Sequence, residues 1–320
     1  MKNLLSIVFI AVFVFSCSTR EEKGPREFKE ITKIETKALL KINDSSENQF
    51  YYPKIIYDGS KIFFTTKDYN EIWYYDFTTK LIINVTPVNG VGKEFVFSKD
   101  SKKIYYVLPS VTVRTKEKIY TLLEYDIDNK SRNVIYTNSD GVSNMDLLDG
   151  DIISFWVNES ILFYDLINKH LIQDFTYEKY LINSIGSKLL IYHAKSIEEK
   201  KVYNNEDVKD IKTSGNGYEY YLTTVDNNII KYNTLNENFE VIGNFKNFNT
   251  SQNSNLLYYS NNSKFFLKAS SQNKFIVLNV DGVNSILNPS VSFSNDSFVF
   301  NNEKGEIYFL EVKIEEKLPD

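Results

Sequence analysis

The sequence predicts an all-β chain folded as a β-propeller of seven four-stranded blades, and three observations carry the prediction. Aromatic and β-branched residues stand in short alternating runs, such as Ile62-Phe63-Phe64, Ile72-Trp73-Tyr74-Tyr75, Ile104-Tyr105-Tyr106-Val107 and Phe298-Val299-Phe300, between clusters of Asn, Asp, Gly, Ser and Lys. Such residues fit a pleated surface, and the clusters make turns. The runs also recur: a turn at Asp58-Gly59 opens three strands that end near Pro87, Lys99-Asp100 opens a second set, and Asp149-Gly150 a third. A polar residue closing an aromatic strand falls at positions 76, 126, 165, 204, 233, 279 and 311, a mean spacing of about 39 residues, close to the ~40–45 of a four-stranded propeller blade. Finally, residues 28–314 hold seven such units with no room for a further domain, although six or eight blades fit the same length. One blade cannot bury both of its faces, so blades must stack around an axis.

The N-terminus precedes this repeat and has a different character. Lys2 is followed by Leu4 to Ser16, thirteen residues of Leu, Ile, Val, Phe, Ala and Ser with no charge. That is too short for a helix that spans a bilayer, which needs about 20 residues, and it has the layout of an export signal covering residues 1–16. Cys17 is the sole cysteine among 320 residues, which rules out an intrachain disulfide. Residues 17–27 are polar, charged and interrupted by Gly24-Pro25, the composition of a flexible tether. Loss of residues 1–16 removes Lys2 and no acid, moving the net charge from −5 to about −6; a mildly acidic surface does not suit nucleic acid, which favours a basic stripe.

At the other end, the last unit offers only Val291-Ser292-Phe293, Phe298-Val299-Phe300 and Ile307-Tyr308-Phe309-Leu310 before a polar tail assigned to residues 315–320. It lacks a fourth strand. The segment from Thr36 to Ile42 is expected to supply one, closing the ring by pairing the two ends of the chain. Phe28, Ile31, Ile34, Ala38 and Ile42 also match helical spacing, so a short helix is the competing expectation.

Two resemblances follow from these residues. Val14-Phe15-Ser16-Cys17 resembles the lipobox of bacterial lipoproteins, in a loose, spirochaete-like form because of the bulky Phe15. It implies cleavage before Cys17 and acylation of that cysteine, whose acyl chains would hold the protein on a membrane; more than one chain is needed for stable anchoring. The units 58–87 and 99–136 resemble the repeat of TolB-type propellers. The Gly-Asp-Ile-Ile-Ser-Phe and Ile-Leu-Phe-Tyr-Asp-Leu stretches of residues 150–166 resemble the pyrroloquinoline-quinone-type repeat that builds the BamB family of outer-membrane lipoproteins. Trp73 and Trp156 do not stand where that repeat ends, and no cofactor is implied.

No catalytic, metal-binding or cofactor-binding constellation emerges. Asp76, Asp126 and Asp165 each end a strand before a turn, where Asp caps backbone N–H groups. His170 and His193 have no partner at metal-ligand spacing. There is no G-x-S-x-G, and Gly90-Val91-Gly92-Lys93 imitates a phosphate loop without a following helix. Some of the 23 Tyr and 23 Phe are expected to form exposed patches for a partner. The candidate partner loops are the stretch bounded by Ser110 and Lys118 and the charged stretch bounded by Lys195 and Lys212, the latter as a solvated hairpin with a long loop.

These readings converge on an expectation of a non-enzymatic, lipid-anchored scaffold, facing the periplasm from the outer membrane. Its partner would be an envelope protein, of the kind that a BamB-like accessory lipoprotein meets in outer-membrane β-barrel assembly. A surface-exposed ligand-binding lipoprotein and a propeller glycosidase or lyase are the alternatives.

Overall fold

The computed structural model describes residues 30–317 apart from 45, 47, 87–89, 92–93, 149–150, 214–216, 252–255 and 270. The export signal 1–16, Cys17 and the tether 17–27 lie outside the described residues. The chain forms seven antiparallel sheets in succession. Blade 1 comprises Tyr51–Ile55, Lys61–Thr65, Ile72–Asp76 and Ile82–Thr86; blade 2 comprises Phe95–Phe97, Lys103–Val111, Lys118–Asp126 and Ser131–Asn138. Blade 3 runs through Ser143–Leu148, Ile152–Val157, Ser160–Asp165 and His170–Leu171. Blade 4 has three strands, Leu181–Ile185, Lys188–His193 and Ser196–Lys201. Blade 5 comprises Val208–Thr213, Glu219–Thr224, Asn228–Asn233 and Asn238–Asn244; blade 6 comprises Asn249–Thr250, Leu256–Asn261, Lys264–Ala269 and Ile276–Asn279. In blade 7, Leu287–Val291, Ser297–Asn301 and Ile307–Glu316 are joined by Ile31–Lys41 as the fourth strand.

The alternation of side chains explains why seven sheets form one body. Within one strand Ile62 and Phe64 pack against Val299 and Ile307 of blade 7, while Phe63 between them packs against Phe95, Phe97 and Ile104 of blade 2. Tyr105 faces Phe155 of blade 3, whereas Ile104 and Tyr106 face blade 1. Tyr220 and Leu222 face Leu189 of blade 4, and Tyr221 faces Phe248 and Leu257 toward blade 6. Seams between blades 3 and 4, built on Trp156 and Leu190, and between blades 6 and 7, built on Phe265 and Phe298, complete the circuit. The aromatic residues are thus consumed by the seams: among the described residues Tyr203 and Tyr218 are the exposed aromatics, and the other exposed large hydrophobics are aliphatic. The expectation of exposed aromatic patches is corrected accordingly.

Ring closure takes the strand form. Ile31–Lys41 pairs antiparallel with Ile307–Glu316, from Ile31 opposite Glu316 to Lys41 opposite Tyr308. Glu315 and Glu316, assigned to the tail from sequence, therefore lie in a paired strand. Around the joint, Gly305 O accepts from Phe50 N at 2.8 Å and Asn43 Nδ2 at 3.1 Å, and Ile307 N donates to Asn43 Oδ1 at 2.7 Å. Gly305 sits at φ +74°, and a Cβ there would stand 2.7 Å from Gln49 Cβ. Lys41 Nζ lies 2.7 Å from Glu306 Oε1, and Asn302 Nδ2 and Tyr308 Oη donate to Glu306 Oε2 at 2.6 and 3.0 Å.

The polar markers resolve unevenly. Asp76, Asp126, Asp165 and Asn233 end the third strands of their blades, and each side chain accepts backbone N–H groups two or three residues on, as in Ile167 N to Asp165 Oδ1 at 2.8 Å. Hydrogen bonds from the turn amides of Asn129 and Asn168 hold Asp126 and Asp165 below the usual carboxylate range. The residue four places after each marker, Lys80, Lys130, Lys169 or Glu237, is left-handed at φ 53–58°. The other three markers are misplaced. Asn204 follows the last strand of blade 4, which has no fourth strand to turn into; Asn279 ends the fourth strand of blade 6, whose third ends at Ala269; Glu311 is mid-strand, because its partner comes from the N-terminus.

Two expectations follow. The Lys41 ammonium, with Asn302 and Tyr308, holds Glu306 down to about 2. The stabilisation is whole above the ordinary carboxyl value of 4.5 and is lost as pH falls toward about 2. Glu306→Gln is expected to cost ~1–3 kcal/mol at pH 7, with a smaller gap from the parent at pH 3 in urea unfolding. A gap unchanged between the two pH values contradicts the assignment. Lys130→Gly, which relieves a left-handed lysine, is expected to add ~0.5–1 kcal/mol, seen as a higher Tm.

Candidate binding site in the central channel

The first strands of all seven blades line an axial channel of about 1110 Å³. These strands have a different task from the strands behind them. One edge pairs with the second strand and the other faces the open axis, so prolines and bulges are tolerated there. Tyr52-Pro53 in blade 1 and Asn288-Pro289 in blade 7 occupy such bulges, with Tyr52 and Asn288 left-handed at φ 55° and 49°. Asn144 does the same in blade 3 at φ 45°. The bulged backbone is held by side-chain amides: Tyr52 N and Asn288 Nδ2 donate to Asn301 Oδ1 at 3.3 and 2.9 Å, Asn249 Nδ2 donates to Pro289 O at 2.9 Å, and Asn144 Nδ2 bonds to Asn183 Oδ1.

The channel differs in charge from the chain that encloses it. The protein carries −5 overall, whereas the described channel-lining residues include Lys54, Lys209, Lys212 and Lys246 against Glu94, Asp146 and Asp210. Asp210 is 3.2 Å from Lys212 Nζ, and Glu94 Oε2 accepts from Asn144 N at 2.9 Å. Lys209 bonds to Asn227 Oδ1. Lys54 Nζ donates to Phe95 O at 3.0 Å and lies 4.3 Å from the centre of the Phe95 ring, and no carboxylate of the described residues pairs with it. Burial, reinforced by the nearby charge of Lys212, pushes its ammonium down to about 8. At one mouth Tyr52 and Tyr69 stack with ring centres 4.5 Å apart, and burial pushes the Tyr69 phenol up.

Of the two candidate partner loops, the first is a hairpin turn and the second is mostly strand. Ser110 and Lys118 lie on paired strands that extend one register beyond Ser110, with Val111 opposite Lys118, leaving 112–117 as the turn. This hairpin is the longest second-to-third strand hairpin in blades 1–6. It projects at the end of the disc where all such turns lie, the end that includes Tyr69 and Asn227 of the channel mouth. Val111 and Val113 are 58% and 86% exposed there. The stretch from Lys195 to Lys212 is corrected more strongly. It holds a left-handed turn residue at Lys195, the outer strand Ser196–Lys201 of blade 4, the 3-10 turn Tyr203–Asn205 and most of blade 5's first strand. Its charges reflect an outer strand wet on both faces, which charge protects from edge pairing. Lys212 ends up in the channel rather than on a loop.

His193 stacks on Tyr180 with ring centres 4.2 Å apart, and His170 stands opposite Asp165 in blade 3, so the two histidines serve different blades. Among the described residues no group of three or more His, Cys, Asp and Glu side chains is disposed to hold a metal ion. Val91 is buried in the seam between blades 1 and 2, while Gly92 and Lys93 lie outside the described residues. Lys54 was missed from sequence because a lysine after Tyr-Pro reads as turn chemistry; its signal was its position between two buried residues of a first strand.

No family model matches the chain, and no curated protein matches it. Solved structures do. The WD40 repeats of RRP9 superpose with a TM-score of 0.64 at 12% identity, over 88% of this chain and 100% of that one. The β-propeller domain of Myceliophteria thermophila Cps50 (Swd1) gives 0.62 at 10% identity over 88% and 100%. A chain in the mitotic checkpoint complex gives 0.59 at 11% over 87% and 94%. At this identity the likeness establishes the fold, a β-propeller.

Because the folded value of Lys54 lies below its ordinary 10.5, the buried charge costs the native state below about 8, and stability recovers as pH rises from there toward 10.5. Lys54→Met is expected to raise stability by ~1–3 kcal/mol at pH 7 and by less at pH 10.5, read as paired Tm differences. A destabilised variant at pH 7 contradicts this reading of the site.

Proposed function

We propose that this protein is a lipid-anchored, periplasm-facing propeller scaffold that binds an envelope protein rather than transforming a substrate. The observation that carries the reading is the blade 2 hairpin, which holds Val111 and Val113 exposed on the same end of the disc as one channel mouth. Apolar side chains on a rigid projection gain by burial against a partner and lose little conformational freedom in doing so. The mitotic checkpoint complex supplies an analogy, since a propeller of the same architecture is found there within an assembly. Cys17 supplies the membrane end of the reading: acylated in the outer membrane, it would confine the disc near its partners and raise their effective concentration. A BamB-like accessory role in outer-membrane β-barrel assembly is the specific form we favour.

The test places a photo-crosslinking residue at Val113 of the full-length chain in cells. The expected product links the chain to an outer-membrane barrel assembly factor, falls at least tenfold when Val111→Asp is added, and disappears from the membrane fraction with Cys17→Ala. Crosslinks to no envelope protein, or a Cys17→Ala chain that remains membrane-bound, overturn the corresponding part of the reading.

A further inference from the structure

The channel contains a charge arrangement that the docking hairpin does not explain. Lys54 of blade 1 and Lys212 of blade 5 both line this channel, and the charge of Lys212 adds to the burial that disfavours the charge of Lys54. An ammonium group in such a place is stabilised by an anion brought against it. The protein's own carboxylates fill that role only in part: Glu94 and Asp210 offset some of the charge on Lys54, yet among the described residues none forms an ion pair with it. Asp210 is engaged with Lys212, and Glu94 accepts from Asn144. Lys209 and Lys246 add positive charge to the same lining. One carbonyl bond and one ring face leave Lys54 with donors that no described protein group accepts. The channel is large enough for more than an ion, and a cleft lined by these lysines draws anions toward it.

We propose that the central channel is an anion-binding site, in which a carboxylate or phosphate group is seated against Lys54 and Lys212. The same chemistry could arrive on a free small molecule or on the end of an extended peptide threaded from a mouth. The site is independent of the scaffold reading, because the hairpin at Val113 and the channel lysines are different surfaces. A small anion would be held by charge and hydrogen bonds alone. A peptide would in addition lay its chain along the first strands and over the Tyr52 and Tyr69 pair.

The experiment is calorimetric titration of the acylated, detergent-solubilised full chain with three probes: inorganic phosphate, a hexapeptide with a free C-terminal carboxylate, and the same peptide amidated. Binding of phosphate or of the free-acid peptide is expected at pH 7, with at least a tenfold loss in Lys54→Met and in Lys212→Met. Binding is also expected to weaken as pH rises through about 8. Tighter binding of the free-acid peptide than of phosphate identifies a chain-borne carboxylate; the reverse identifies a small anion. Because Lys54→Met is expected to be more stable than the parent, its loss of binding cannot be assigned to unfolding, and Lys195→Met serves as an exposed control that keeps full affinity. Absence of binding by both anions, equal binding by Lys54→Met, or equal binding of the amidated and free peptides without binding of phosphate overturns the proposal.

Discussion

Every blade of this protein has two apolar faces, and everything else depends on covering both. A flat sheet with Ile62 and Phe64 on one side and Phe63 on the other has no stable existence in water. Each seam removes one exposed face from each of two neighbours, but an open row of blades always leaves two faces wet. Only a ring removes them all. The pairing of Ile31–Lys41 with Ile307–Glu316 is therefore more than one additional strand contact. It completes blade 7, brings Ile31 and Ile34 against Leu256, Phe265 and Leu278 of blade 6, and converts a chain of local hairpins into a body with long-range contacts. Gln272 strengthens the junction by mimicking a peptide group, accepting from Ile31 N at 3.1 Å and donating to Ile31 O at 3.0 Å.

A closed ring frees the first strands from much of the packing burden. Seams hold the second and third strands, so the axis can accommodate left-handed Tyr52, Asn144 and Asn288, prolines, and a lysine poorly matched to its surroundings. Strain and buried charge of this kind persist only where the surrounding structure imposes them. In this protein the bulged first strands bring three such residues and the buried lysine to the lining of one channel. The outer strands experience the opposite regime, with charge on Ser196–Lys201 and exposed valines at Val134 and Val241.

The fold was legible because the second and third strands carry the seams. Their alternating aromatics, such as Tyr105 between Ile104 and Tyr106, report two buried faces directly. The first strands were not legible: Phe95–Phe97 and Asn249–Thr250 are too short for a period, and bulges break the alternation in blades 1, 3, 5 and 7. The N-terminal strand imitated a helix for a related reason. Register shifts between Ile31 and Lys33 and between Thr36 and Ala38 place buried Ile31 and Ile34 three residues apart, which is a helical spacing produced by a bulged strand. The channel site was the least legible part, since it assembles single residues from blades 1 and 5 that are distant in sequence and chemically unremarkable one at a time.

Amide hydrogen exchange across the closure tests the central claim most directly. If pairing between Ile31–Lys41 and Ile307–Glu316 holds the ring shut, the paired amides of the N-terminal strand open only with the whole protein. They should then exchange at the same rate as those of Ser297–Asn301 in the interior of blade 7. Exchange of Ile31–Lys41 that is orders of magnitude faster, while Ser297–Asn301 stays protected, would show that the ring stands without its terminal strand and would contradict the account.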